Sequence, residues 1–324
     1  MSTEEKSLST RDGFGTGLVA AAQELSAIVG LCADLTDSVK MRAFADAFPE
    51  RFVELGVAEQ NLAGVAAGMA LAGKIPFAAG YGCFHPANSW GVIRSSIAYS
   101  NLNVKLVGGH TGLVTGEDGA THQSLEDIAL MQVLPNMTVL VPADAAEAHE
   151  ATLAAAKWHG PLYLRTNKYL VKPLTPLTSF ELGKARLMRQ GSDITVIAYG
   201  VMVSHALAVA DELAKDHYSV RVLNMHTIKP LDTQSILQAA HETWGIFTLE
   251  DHQIIGGLGS VVSQVLTEKF LPQAKRPLLF HSFGVQDAFG QSGRADELLA
   301  EYELSVPHIT HKLKSYLRST HHMV

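Results

Sequence analysis

A chain of 324 residues that is 47% hydrophobic can bury the cores of two ordinary α/β domains and is too apolar to be mainly disordered. Its 25 Lys plus Arg against 32 Asp plus Glu give a formal charge of -7 at pH 7 with no basic block, which argues against nucleic acid as a partner. Only Cys32 and Cys83 occur, residues 1–6 lack an apolar signal core, and the Gly/Ala-rich stretch 62–72 is too short for a bilayer, so a cytoplasmic protein without a membrane partner is expected.

Short β-branched runs at 28–32, 103–107, 137–141 and 162–165 read as strands separated by helical patterns, the rhythm of a mainly parallel sheet covered on both faces. After the third run, Pro142-Ala143-Asp144 places a capping carboxylate in front of a helix reaching residue 159. Periodicity dissolves between 168 and 180, across Pro173 and Pro176, which divides the chain into a first domain over 1–172, a linker over 173–184 and a second domain over 185–324. The second series runs strand 194–199, helix 202–215, strand 219–224, helix 232–243, strand 245–250, helix 260–270 and strand 278–283. The expected fold class is therefore α/β, with two doubly wound domains, the second smaller. The tail His321-His322 reads as disordered.

Two segments concentrate chemistry. Gly56-Val57-Ala58-Glu59-Gln60-Asn61 opens a helix with few bulky side chains, and Gly64 and Gly68 fall on one face of it. Each such glycine costs about 1 kcal/mol relative to alanine, which suggests that something approaches the backbone closely. Glu59 is either a partly buried functional acid or a plain complement to the helix dipole. The second segment, His110 to Gln123, follows a strand and gathers His110, Glu117, Asp118 and His122 in one glycine-punctuated loop. It is a site at the carboxyl end of a sheet, a solvated turn, or a metal site of His110, Asp118 and His122. Ile255-Gly256-Gly257-Leu258-Gly259 opens a later helix and reads as a tight structural turn.

The ordered runs Gly56-Val57-Ala58-Glu59-Gln60-Asn61, Gly116-Glu117-Asp118-Gly119-Ala120-Thr121-His122-Gln123, Leu134-Pro135-Asn136-Met137 and Pro142-Ala143-Asp144 resemble the pyrimidine-binding domain of transketolases. The last 140 or so residues resemble that family's C-terminal domain, so the likeness covers nearly the whole chain. It implies thiamine diphosphate and Mg2+ as cofactors. It also implies that Glu59 bonds N1′ of the aminopyrimidine, where a shared proton favours the imino tautomer that deprotonates the thiazolium. Phe84 and Trp90 then contact the ring, and Asp34 helps hold the cofactor or the interface. Where many relatives carry a further aromatic or Arg residues, this chain has Ala87 and Asn88.

For the substrate, the resemblance assigns Arg11, Ser38, His110 and Arg165 to a sugar phosphate's anionic end, and Asp118 and His122 to its hydroxyls, with Glu59, His110 and His122 as catalytic residues. The Gly-Asp-Gly and downstream Asn that hold Mg2+ and the diphosphate in such enzymes are not in the sequence. The expectation is a split transketolase, in which an N-terminal, diphosphate-binding partner holds most of the metal site in an α2β2 assembly paired through the Gly/Ala-rich helix. A 2-oxo acid dehydrogenase β subunit, a deoxyxylulose-phosphate-synthase-like enzyme and a noncatalytic partner of the same fold are the alternatives.

Overall fold

The computed structural model describes residues 6–174 and 180–320. Pro176 of the expected linker and the His321-His322 tail lie outside them. The first part holds α1 (Thr10–Glu24), β1 (Ile28–Cys32), α2 (Arg42–Ala47), β2 (Phe52–Glu54), α3 (Glu59–Leu71), β3 (Ile75–Tyr81) and α4 (Trp90–Val92), which continues as a π turn over Ile93–Ala98. It goes on through β4 (Lys105–Gly109), α5 (Asp127–Gln132), β5 (Thr138–Leu140), α6 (Ala145–Lys157) and β6 (Leu162–Arg165). The second part holds β7 (Arg186–Arg189), β8 (Ile194–Ala198), α7 (Met202–Ala214), β9 (Val220–Asn224), β10 (Thr227–Lys229) and α8 (Thr233–Glu242). Then come β11 (Gly245–Gln253), α9 (Leu258–Val265) with a π turn over Leu266–Phe270, β12 (Leu279–Val285), α10 (Ala295–Glu301) and α11 (Val306–Thr320).

The α/β class with two helix-covered sheets is as the sequence predicts. The first sheet has the order β10-β5-β6-β4-β3-β1-β2 and the second β12-β11-β8-β9-β7. All pairs are parallel except β10 with β5 and β7 with β9. Strands β2 and β3 were not expected. β3, Ile-Pro-Phe-Ala-Ala-Gly-Tyr, lies between β1 and β4 although it contains Pro76, which cannot donate to a ladder, and three small residues of low strand propensity. Burial on both faces outweighs that propensity. β10 belongs to the second part of the chain yet pairs with β5 of the first sheet. The main apolar cluster likewise mixes Leu31, Leu106 and Val139 with Ile197, Ile246 and Val262, so the two halves share a core.

Local chemistry fixes the helices that frame the site. Asp144 caps α6, its carboxylate accepting from Glu147 N at 2.8 Å. α1 lies directly on α6 because a Cβ at Gly13 would come within 2.0 Å of Ala145 O, and one at Gly17 within 2.8 Å of His149 O. The packing sets the start of α1, and with it Arg11, beside the carboxyl end of the first sheet. No helix among the described residues is long and apolar enough to cross a membrane.

Candidate active site

The candidate site is built on the residues that follow β1, β3, β4 and β6. His110, just past β4, adopts the left-handed region (φ 52) and is buried, only 4% exposed. Its ring stacks on Tyr81 at 4.0 Å between centroids, and its Nε2 lies 3.4 Å from Arg11 Nη1. The same Arg11 nitrogen donates to Ser38 O at 2.9 Å. Burial, reinforced by the nearby charges of Arg11 and Lys168, pushes the imidazole of His110 down to about 4, so it is neutral at physiological pH. His110 Nδ1 and Arg11 Nε are buried with no hydrogen-bond partner among the described residues. Two buried polar atoms are therefore unsatisfied among the described residues, a costly state unless a ligand completes them.

Asp118 and His122 are brought to the same place, both close enough for their charges to act on His110. Lys168 Nζ reaches Asp118 Oδ2 at 3.1 Å and Glu117 Oε2 at 3.8 Å. His122 stands edge-on to Phe84 at 5.2 Å, and Thr121 Oγ1 lies 3.0 Å from its Nδ1. Glu59 is the first residue of α3, partly buried, with no side-chain hydrogen bond or ion pair among the described residues. It lies near Cys83, whose thiol is pushed up to about 12, first by burial and then by the surrounding carboxylates of Glu126, Asp127 and Glu59. Gln60 Nε2 donates to Asn88 O at 3.3 Å and so ties the start of α3 to the turn that carries Phe84.

Asp34, at φ 58, borders a polar cup of about 390 Å³ lined also by Thr36, Ser38 and Glu54. Glu54 organises that cup. Its carboxylate accepts from the amides of Asp34, Leu55 and Gly56 and from Thr36 Oγ1. Burial pushes the Glu54 carboxyl up, but these four bonds outweigh it and hold the group below its ordinary value.

One expectation requires correction. Arg165 is committed elsewhere. It is 2% exposed, its Nε donates to Asp127 Oδ2 at 2.9 Å, and its Nη1 donates to Asp251 Oδ1 at 2.8 Å, so its charge is committed to two buried carboxylates. Trp90 packs against the main apolar cluster, and its indole N–H donates to Leu130 O at 2.9 Å, while Tyr81 and Phe84 meet His110 and His122. A Cβ at Gly64 or Gly68 would have no neighbouring atom of the described residues within 4 Å, so this face of α3 is open.

The alternative metal triad of His110, Asp118 and His122 is not formed either, since no group of three His, Cys, Asp or Glu among the described residues could hold a metal. The glycine turn before α9 is filled by the protein's own carboxylate, Glu250, which accepts from Leu258 N at 2.7 Å and Gly259 N at 2.9 Å. Tyr81, Glu54 and Lys168 escaped the sequence reading. Tyr81 opens the very segment that carries Phe84, and Lys168 follows Arg165 by three residues, so position alone could have flagged both. A wider groove of about 1110 Å³ between α1, α2 and α6 contains none of the candidate residues.

Residues 6–173 match the family model for the transketolase pyrimidine binding domain, and residues 183–309 match that for the transketolase C-terminal domain. The chain belongs to the transketolase family. It is 38% identical to the 6-deoxy-6-sulfo-D-fructose transketolase subunit SqwH of Clostridium sp. strain MSTE9, covering 92% of this chain and 91% of that one. It is 36% identical to an apulose-4-phosphate transketolase subunit from Phocaeicola vulgatus, covering 92% and 94% respectively. Among solved structures, a split gene transketolase described as an inactive beta4 tetramer superposes with a TM-score of 0.87 at 41% identity, over 95% of this chain and 98% of the other. The transketolase family is thiamine diphosphate-dependent.

Proposed function

We propose that the chain is the β-type subunit of a split transketolase that transfers a two-carbon ketol group between sugar phosphates. The observation that carries this reading is a neutral buried His110 flanked by the cations Arg11 and Lys168, in a chain whose Glu59 has no side-chain partner among the described residues and lies near Cys83, next to Phe84. In support of thiamine diphosphate, Glu59 is free to bond a ring nitrogen, and Phe84 offers a face or edge to a flat heterocycle. When bound, the cofactor supplies the carbon nucleophile that carries the two-carbon fragment. Asp34 borders the cup from which it can contact the cofactor or a partner chain.

Each residue of the chain then has a task. Glu59 holds a proton at the ring nitrogen from a partly dry position at a helix start. His110, uncharged above about pH 4, can give or take a proton at its unpartnered Nδ1. Arg11 and Lys168, with Ser38 beside them, draw in the substrate's terminal oxyanion. Asp118 and His122 orient its hydroxyls, with His122 able to move a proton. The two relatives are named for a sulfonated and a phosphorylated sugar, and an oxyanion on the sugar is the feature those substrates share.

The assembly proposed is α2β2, in the cytoplasm, with a diphosphate-binding subunit holding most of the Mg2+ site. In support, α3 presents Gly64 and Gly68 bare, flanked by Val57 (77% exposed) and Leu71 (74%), with Tyr99 (87%) on the neighbouring turn, a close-packing face for a second copy. The test is reconstitution with that partner, thiamine diphosphate and Mg2+, assayed with xylulose 5-phosphate and ribose 5-phosphate. Turnover of the sugar phosphates is expected. A pair that decarboxylates a 2-oxo acid and ignores every sugar phosphate is instead of the dehydrogenase type, and an inert pair that still assembles is a noncatalytic partner.

A further inference from the structure

The loop from His110 to Gln123 reads as a polar turn, yet residues 111–116 are all buried, and the C-terminal domain contributes to their cover. Leu113, Val114 and Leu125 belong to the same apolar cluster as Phe247, Phe283 and Leu299. The segment between β12 and α10 crosses the loop. Gln123 Nε2 donates to Gly116 O at 3.1 Å and to Gln291 O at 2.9 Å, and Ser292 Oγ donates to Glu117 O at 2.7 Å. Asp251, at the end of β11, closes the other side so tightly that a Cβ at Gly112 would sit 1.8 Å from its Oδ2.

The loop's own bonds are those of tight turns, such as Gly119 N to Gly116 O at 3.1 Å and His122 N to Gly119 O at 3.0 Å. Its helical part, Leu113–Asp118, is a 3₁₀ turn broken at Gly116, where φ is 73 and ψ is -121. Short 3₁₀ pieces have weak hydrogen bonds and do not hold a shape unaided. The conformation that brings Asp118 and His122 within electrostatic reach of His110 is held by Lys168 from the first domain and, across the loop, by Gln291 and Ser292 from the C-terminal domain.

We propose that residues 287–296 of the C-terminal domain form a positioning strap for the sugar-contact loop, with Ser292 and Gln123 as positioning residues that hold Asp118 and His122 in register with His110. The catalytic consequence rests on the function proposed above; the structural one does not. The strap gives the C-terminal domain a task in substrate binding although, among the described residues, none of that domain hydrogen-bonds Arg11, His110, Asp118 or His122.

The experiment compares Ser292→Ala, Ser292→Thr and Gln123→Leu in the reconstituted complex, and follows hydrogen–deuterium exchange on this chain without substrate. Ser292 is exposed, so its truncation leaves the core untouched. Loss of its one hydrogen bond should raise the KM for the ketose about fivefold, with the concentration dependence on thiamine diphosphate unchanged. Ser292→Thr, which keeps the hydroxyl, should behave as wild type. Gln123→Leu, which removes two bonds, should do more. Exchange should quicken within residues 113–123 in Ser292→Ala and Gln123→Leu, and only there.

Unchanged exchange in that segment overturns the strap. Faster exchange throughout the C-terminal domain assigns the residues to general stability and overturns it equally. Faster local exchange with an unaltered KM overturns the catalytic consequence. If the wild-type complex transfers no ketol group, the functional reading fails by itself, while the exchange data still decide the strap.

Discussion

Replacing Arg165 by Met separates a buried lock from a phosphate ligand. Asp127 and Asp251 are both 0% exposed and share this one guanidinium, with the Tyr163 hydroxyl, 2.6 Å from Asp127 Oδ2, as the only further side-chain donor among the described residues. Asp127 Oδ1 and Asp251 Oδ2 have no partner among the described residues even in the wild type. Removing the cation leaves two carboxylates uncompensated in a dry interior, and breaking a buried pair in this way costs about 3–5 kcal/mol. At roughly 2 °C per kcal/mol for a chain of this size, the melting temperature should fall by about 6–10 °C.

The loss should also depend on pH. Burial already pushes Asp251 above its ordinary value, and Arg165 is the main restraint on it, ahead of a backbone hydrogen bond. Without that restraint the folded state takes up a proton more readily than the unfolded chain. A raised folded pKa favours folding at the lower pH, so the deficit of the variant should shrink on acidification. Urea or thermal unfolding of Arg165→Met against wild type between pH 5 and 8 reads both effects. Adding Asp127→Asn and Asp251→Asn should recover at least half of the loss, since the costs of interacting charges are not additive. An Arg165→Met protein that melts within about 2 °C of wild type, and is altered only in its KM for phosphorylated sugars, would refute the lock and restore Arg165 to the phosphate site.

Glu59→Gln should lower kcat by about 100-fold or more, the lower range for a lost acid–base group, with the melting temperature unmoved because the carboxylate has no partner within the described residues; full turnover would remove Glu59 from the mechanism. Lys168→Met should raise the KM of a phosphorylated or sulfonated ketose by about tenfold, the worth of one charge-assisted hydrogen bond, and leave an uncharged ketose unaffected; an equal effect on both sugars would make Lys168 only a partner of Asp118. A Cβ at Gly68 would meet no neighbouring atom of the described residues within 4 Å, and Gly68→Leu removes a helix-interior glycine, so the isolated chain should hold or gain up to about 1 kcal/mol while self-association, followed by sedimentation, is lost; an intact oligomer would show that this face is not used. Stability should fall as pH drops from 6.5 towards 4.5. His85, His110, His226 and His252 are each pushed down to about 4 by burial, so in that window the unfolded chain binds protons the folded one refuses. Glu147 and Glu250, pushed up to about 7 by burial, act in the opposite sense, but they are two against four. A urea midpoint that rises on acidification would contradict this balance.

The sequence by itself determined whatever depends on near neighbours along the chain. The strands at Ile28–Cys32 and Leu162–Arg165 follow from β-branched runs, α6 and α8 begin after the carboxylates Asp144 and Asp232, and the segments around Glu59 and His110 stand out because small residues crowd next to chemically active ones. Capping, helical period and turn chemistry act over a few residues, so spacing displays them. β3 was hidden because its strand state comes from burial between β1 and β4 and not from the propensities of Pro76, Ala78 and Gly80.

Only the tertiary structure decided which charge meets which. Arg165 looks like a ligand until Asp251, 86 residues away, is found against it, and Lys168 gains its place through Asp118, 50 residues away. The polar loop after β4 is buried because a segment some 170 residues later lies over it. Electrostatic and burial energies depend on distance and on exclusion of water, and chain folding sets both without regard to separation in sequence.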